Sequence, residues 1–181
     1  VLSIGSNLGD RLARLQAAVD GLGEAVLAVS PVYETAAWGG VSQDHFLNAI
    51  VIADDNQLDA PGWLRRAQAL ELDNERVRVG KWGPRTLDVD LISCFERSGP
   101  RDAAFGNEVF SDDAVLTLPH PFAHERAFVL LPWLALDPDA ELTVAGRRRP
   151  LRELLDRLEP SECAGVRPTE LALTFGEDAR P

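Results

Sequence analysis

Within the fifteen residues Arg76-Val-Arg78-Val-Gly-Lys81-Trp-Gly-Pro-Arg85-Thr-Leu-Asp88-Val-Asp90 the chain gathers most of what could do chemistry on a polyanion. Four of its eighteen cations fall in residues 76–85, which contain no acid, and two carboxylates follow at once. Alternate residues of a strand face one side, so Asp88 and Asp90 converge while Leu87, Val89 and Leu91 point to a core. Two converging carboxylates beside polar space are a hard-cation site. Mg²⁺ takes one or two protein carboxylates and completes its shell with water and phosphate oxygens, and planar arginine forks suit the phosphates themselves. An Asp-x-Asp on a strand is by itself most often a solvated face, and an arginine run mostly surface. Their juxtaposition across the rigid Gly83-Pro84 corner instead favours the cation–metal–phosphate arrangement that phosphoryl transfer requires.

Other candidates are weaker. His120, in Leu118-Pro119-His120-Pro121, is restrained by prolines and could contact a ligand, whereas His45 and His124 read as exposed loop residues. The run Gly5-Ser-Asn-Leu-Gly9 reads as a turn with a helix cap at Asn7 or Asp10. No G-x-x-x-x-G-K-[ST] occurs, which excludes a P-loop nucleotidase, and no Ser-His-Asp or Cys-His order supports a nucleophilic hydrolase. Cys94 and Cys163 lie too far apart in sequence for a thiolate metal cluster, and the expected compartment is a reducing cytoplasm.

The elements that must position these groups follow from hydrophobic spacing. Val1–Ile4 reads as a strand meeting a turn at Gly5-Ser6-Asn7, and Leu12, Leu15, Val19 and Leu22 then recur at helical spacing. Ala25–Tyr33, ending near Pro31, and Phe46–Ala53 are strand candidates around a glycine-rich loop at 36–45. Pro61-Gly62 starts a second helix carrying Gln68 and Glu71, and Leu87–Cys94 returns to a strand pattern. Strand, helix, strand, strand, helix, strand is the order of the split β-α-β ferredoxin-like unit, an α+β fold. Beyond it come a polar stretch at 96–113 that reads as an insertion, an apolar segment Ala127–Leu136, a hairpin near Ala145-Gly146 and a helix from Pro150 to Leu158. Residues 1–158 read as one domain, and 159–181 as a loosely held tail.

Composition bounds the function. The 181 residues are 45% hydrophobic and 26% charged, which suits one globular domain, with no run long enough to span a membrane, and because Val1–Gly5 opens directly into strand-like sequence no export leader is expected. The absence of Met suggests a natural start outside this chain. A net charge of −11 disfavours general nucleic-acid binding.

Taken together, Ile4-Gly-Ser-Asn-Leu-Gly-Asp10, Phe46-Leu-Asn48, Arg76-Val-Arg78, Trp82-Gly-Pro-Arg-Thr-Leu-Asp-Val-Asp90, and Leu118-Pro-His-Pro121 followed by Arg126-Ala-Phe128 resemble the motifs of the 6-hydroxymethyl-7,8-dihydropterin pyrophosphokinase family, in that family's order. The Trp82–Asp90 block is the most diagnostic. The resemblance implies Mg²⁺-dependent transfer of the β,γ-diphosphate of ATP to the hydroxymethyl group of 6-hydroxymethyl-7,8-dihydropterin, releasing AMP, in folate biosynthesis. Asp88 and Asp90 match the acids that bind two magnesium ions. Arg76, Arg78 and Arg85 match phosphate-binding arginines, Arg78 and Arg85 serving the chemical step. His120 and Arg126 match residues at the nucleotide and its phosphates, and Gln68 and Glu71 match nucleotide-side positions. Thr35, Trp38, Phe46, Asn48 and Phe128 fall at positions lining the pterin pocket. The implied partners are these two small molecules, with no nucleic acid or membrane, for a monomeric protein. Glu75 stands where many relatives have Gly, and Val115 and Phe122 where some carry a basic residue.

The pterin residues also make sense chemically. A flat heteroaromatic with an amide-like edge needs aromatic faces and a donor–acceptor pair at its rim, which Phe46, Phe128 and Asn48 can supply. Two other classes remain open on the sequence. A non-catalytic binding protein of this fold would lack the Asp88/Asp90 pair, and a ferredoxin-like RNA-binding module would carry a basic surface.

Overall fold

A computed structural model describes residues 1–36, 44–74, 86–96 and 106–176. Helix α1 (Arg11–Leu22) follows strand β1 (Leu2–Ser6), and the Asp10 carboxylate caps it by accepting from the Ala13 N–H at 3.0 Å. Strands β2 (Val26–Val29), β3 (Tyr33–Thr35) and β4 (Phe46–Ala53) come next, then α2 (Ala60–Asp73), capped by Asp59 with Pro61 in its first turn. β5 (Asp88–Leu91) completes the first half. The order across the main sheet is β3-β4-β1-β5 with β2 also on β4, and every pair is antiparallel.

A second half buttresses this sheet. Short strands β6 (Ser111–Asp112) and β7 (Thr117–Leu118) pair with each other, and α3 (Ala127–Leu136) lies on the sheet. β8 (Glu141–Val144) and β9 (Arg147–Pro150) form a hairpin whose two turn residues, Ala145 and Gly146, both have positive φ, the geometry that matches strand twist. α4 (Leu151–Leu155), α5 (Pro160–Ala164) and β10 (Val166–Pro168) end the regular structure. The apolar residues divide by strand alternation. Leu2, Ile4, Leu47, Ala49, Val89 and Leu91 meet α1 and α2 on one face, while Ile50 and Ile92 meet Val129, Leu130, Trp133 and Leu151 on the other.

Five sequence expectations are corrected. β1 does not turn at Gly5-Ser6-Asn7: Gly5 and Ser6 stay paired with Asn48 and Leu47, and the bend falls at 8–10, where Gly9 takes the positive φ. The segment 25–33 is not one strand, because Pro31 has no N–H to continue the ladder. Ser30 bridges the break, exchanging bonds with Ile50 through its N–H and its Oγ. The helix expected from Pro150 to Leu158 stops at Leu155. His124 is half-buried in the turn 123–125 rather than exposed, because its neighbour Ala123 is drawn into the core. Finally, residues 159–176 are not loosely held. β10 pairs with β3, Leu173 enters the main core, and the Thr174 N–H donates to Gln16 at 3.0 Å, so a few backbone and apolar contacts override the polar composition.

Of the 96–113 stretch, the described flanks form a paired stem. The Glu96 N–H donates to the Asn107 carbonyl, the Gly106 N–H donates to the Glu96 carbonyl, and the Val109 N–H donates to the Cys94 carbonyl. Cys94 and Cys163 are both free thiols.

Candidate active site

Antiparallel register places Tyr33, Asn48, Gly5 and Asp88 in one row across β3-β4-β1-β5, with Ile50, Ser3 and Asp90 in a row beside it. Directly opposed residues share a face, so Asn48 and Asp88 point to the same side, about 10 Å apart across the intervening strand. Thr35 and Phe46 oppose each other on that side as well. One face of one sheet therefore carries the acids at its β5 end and the amide, hydroxyl and aromatic groups at its β3–β4 end.

Gly5 is what keeps the middle of this face open. A Cβ there would sit 2.8 Å from Asn48 Oδ1. With that space free, the Asn48 amide donates to Thr35 Oγ1 at 2.8 Å, and both side chains are almost fully buried, at 4% and 7% exposure. The amide is thus held in one orientation with its oxygen toward the glycine gap. The next two residues of β1 secure what flanks the site. Buried Ser6 donates from Oγ to the Thr86 carbonyl at 2.5 Å, and buried Asn7 donates from Nδ2 to the Asp44 carbonyl at 3.4 Å. Sequence reading missed these roles because it took Gly5-Ser6-Asn7 for a turn. A glycine inside a strand is itself the signal for a close approach of another group.

At the β5 end, Asp88 and Asp90 are half-buried and alternate with buried Val89 and Leu91. Arg126 donates from Nη1 to Asp90 Oδ2 at 3.2 Å, and its guanidinium carbon lies 5.6 Å from the Phe128 ring centre, within cation–π range. Arg126 thus reaches from an acid of the β5 end to one of the aromatic residues. His120 follows the cis Leu118–Pro119 bond, and its N–H donates to the Ile92 carbonyl at 2.8 Å, fixing the turn to the end of β5. The Phe122 N–H donates to His120 Nδ1 at 3.2 Å. That bond needs a lone pair on Nδ1, so the ring is neutral with its proton on Nε2. Burial pushes the imidazole below its ordinary pKa, Asp90 opposes that, and Arg126 adds to it.

Two hard carboxylates on one face fit a divalent cation. Among the described residues no group of three or more His, Cys, Asp or Glu forms a cage. Two acids alone suit Mg²⁺, which leaves its other positions to water and phosphate oxygens. On α2 the two sequence candidates separate: Gln68 is exposed, while Glu71 is buried and accepts the Val89 N–H at 3.0 Å. Val115 and Phe122 are exposed, Phe122 edge-on to the His120 ring. Trp38, Glu75, Arg76, Arg78 and Arg85 lie outside the described residues.

A sheet face with a neutral amide–hydroxyl pair at one end and paired acids, an arginine and a histidine at the other has the parts a phosphoryl-group transferase needs. Comparison with known proteins narrows that class. The family model described as 7,8-dihydro-6-hydroxymethylpterin-pyrophosphokinase matches residues 1–138. A protein named 2-amino-4-hydroxy-6-hydroxymethyldihydropteridine pyrophosphokinase in Mycobacterium leprae (strain TN) is 61% identical over 183 residues, covering 100% of this chain and 95% of that protein. Its namesake in Mycobacterium tuberculosis (strain ATCC 25618 / H37Rv) is 56% identical over 167 residues, 92% and 87% of the two chains. Another, in Methylorubrum extorquens, is 40% identical over 164 residues, 88% and 93% of the two. The chain belongs to the 7,8-dihydro-6-hydroxymethylpterin-pyrophosphokinase family and is an enzyme of that kind, a transferase.

Proposed function

We propose that this enzyme transfers the β,γ-diphosphate of ATP to the hydroxymethyl group of 6-hydroxymethyl-7,8-dihydropterin, in Mg²⁺-dependent fashion, releasing AMP and serving folate synthesis. The observation that carries the reading is the shared face of the sheet, on which Thr35, Phe46 and Asn48 stand across Gly5 from Asp88 and Asp90. The pterin edge bonds the oriented Asn48 amide, with Phe46, Phe128 and Trp38 around the ring. Its hydroxymethyl oxygen is thereby held near the acids. That oxygen bonds to the β phosphorus, the bond from this phosphorus to the α–β bridging oxygen breaks, the bridging oxygen leaves on AMP, and the hydroxyl proton is released. Two magnesium ions held by Asp88 and Asp90 would supply charge stabilisation at the phosphate oxygens.

The arginines and His120 do the rest. Arg76, Arg78, Arg85 and Arg126 bind the triphosphate, and Arg78 and Arg85 meet the charge that moves toward AMP as the bond lengthens. Neutral His120 offers a hydrogen bond from Nε2 to the nucleotide, and Gln68 stands on the nucleotide side. The strand order β5-β1-β4-β3 with two helices on one face supports a ferredoxin-like core. We read residues 1–158 as one catalytic domain, with 96–113 an insertion. The enzyme acts as a cytoplasmic monomer without nucleic acid; no described helix is long and apolar enough to cross a membrane.

Incubation with ATP, Mg²⁺ and the reduced pterin should yield AMP and a pterin diphosphate in equal amounts, resolved by chromatography. ADP as the nucleotide product would sink the reading.

A further inference from the structure

Among the described residues β5 is the edge strand of the main sheet on the site side, pairing with β1. An edge strand directs every second backbone N–H away from its neighbour, and such a group under a packed helix must find a partner or cost stability. The Val89 N–H is one of these, and it lies between the two acids. Its acceptor is Glu71 Oε1 at 3.0 Å, reaching from α2, and Glu71 is only 5% exposed. The resemblance puts Glu71 at the nucleotide, but its carboxylate is turned into the protein and onto the strand.

We propose that Glu71 is a positioning residue for the Asp88–Asp90 pair, an inference that rests on reading those acids as the metal ligands. The two side chains share a face only while the β5 backbone keeps its pleat and register. A bond from the amide between them to Glu71 fixes that pleat at a point β1 does not reach. Outer partners of this kind typically change metal affinity about 10–100-fold when lost.

The test compares wild type with Glu71→Gln, which keeps an oxygen acceptor, and Glu71→Met, which keeps the volume and removes it, alongside Asp90→Asn. In metal-free protein, amide exchange at Val89 should stay slow in Glu71→Gln and accelerate about tenfold or more in Glu71→Met, as expected when a backbone bond opens locally. The amides of Leu15 and Val19 in α1 should be unchanged, reporting an intact fold. Mn²⁺ binding with a non-hydrolysable ATP analogue, followed by electron paramagnetic resonance, should weaken about tenfold in Glu71→Met and largely recover in Glu71→Gln. Analogue affinity without metal should not move. Unchanged Val89 exchange or Mn²⁺ affinity in Glu71→Met overturns the inference, as does weaker analogue binding without metal, the mark of a direct nucleotide contact. If Asp90→Asn binds Mn²⁺ as wild type does, the metal-pair reading fails instead, and Val89 exchange shows that failure to be separate.

Discussion

At the β3–β4 end of the site face, Asn48 and Thr35 are neutral, bonded to each other and almost wholly buried, whereas at the β5 end Asp88, Asp90 and Arg126 are charged and half-exposed. The contrast follows from what each end can tolerate without substrate. A neutral donor–acceptor pair can be desolvated in advance if its members satisfy each other, and it then recognises a ring edge with little reorganisation. Carboxylates cannot be buried so cheaply, and they keep water until cations and phosphates replace it. On the proposed function, recognition is preassembled at one end and charge stabilisation is completed at the other.

The largest expected effect tests the charged end. Asp88→Ala and Asp90→Ala should each lower turnover by about 10³-fold or more, since each removes charge stabilisation worth about 4 kcal/mol. Because both side chains are half-exposed, thermal melting should stay close to wild type. Turnover within tenfold of wild type at ordinary Mg²⁺ would remove the acids from the chemistry and erase the contrast.

Next in size is the neutral end. Asn48→Ala should weaken pterin binding by about 1–3 kcal/mol, because it leaves the ring edge and Thr35 without a partner. Gly5→Ala should act the same way at the lower end of that range, since its Cβ meets Asn48 Oδ1 at 2.8 Å and the amide must turn away. Calorimetry with pterin and, separately, with an ATP analogue decides the point. A matching loss of analogue affinity in either variant would mean that the two ends are not independent.

The β5 end was the more legible in sequence, and the reason is range. Asp88 and Asp90 announce their common face through spacing alone, and the apolar alternation of Val89 and Leu91 confirms the strand. The Asn48–Gly5 contact depends on register between strands distant in sequence, so Gly5 reads as a turn residue until its partner is known. Glu71 illustrates the same limit: helical spacing puts it near the inner face of α2 but cannot reveal the amide it meets. Pairing of β10 with β3 is likewise a tertiary fact that the polar composition after Leu158 conceals.

A last prediction asks whether the neutral end owes anything to charge. Glu34, between Tyr33 and Thr35, accepts from Arg11 Nη1 at 3.0 Å, the same nitrogen donates to the His45 carbonyl at 2.6 Å, and His45 Nδ1 lies 3.6 Å from Glu34 Oε2. The cluster ties the end of β3 to the residue preceding Phe46. The Arg11 hydrogen bond holds the Glu34 carboxyl below its ordinary range, against a smaller opposing effect of desolvation. A lowered acid contributes stability above its unfolded pKa and loses it as pH falls through the folded value. Glu34 is substantially exposed, so solvent screening limits that contribution to about 0.5 kcal/mol, and salt reduces it further. Glu34→Gln should therefore melt slightly below wild type at pH 7, with the gap closing as pH falls through the lowered value at which the wild-type carboxyl protonates. Pterin affinity at pH 7 should hold, because Asn48 and Thr35 are oriented by their own bond. A Glu34→Gln variant that binds pterin tenfold more weakly would show that the charged cluster orients the neutral pair, and the two ends would then differ less than their burial suggests.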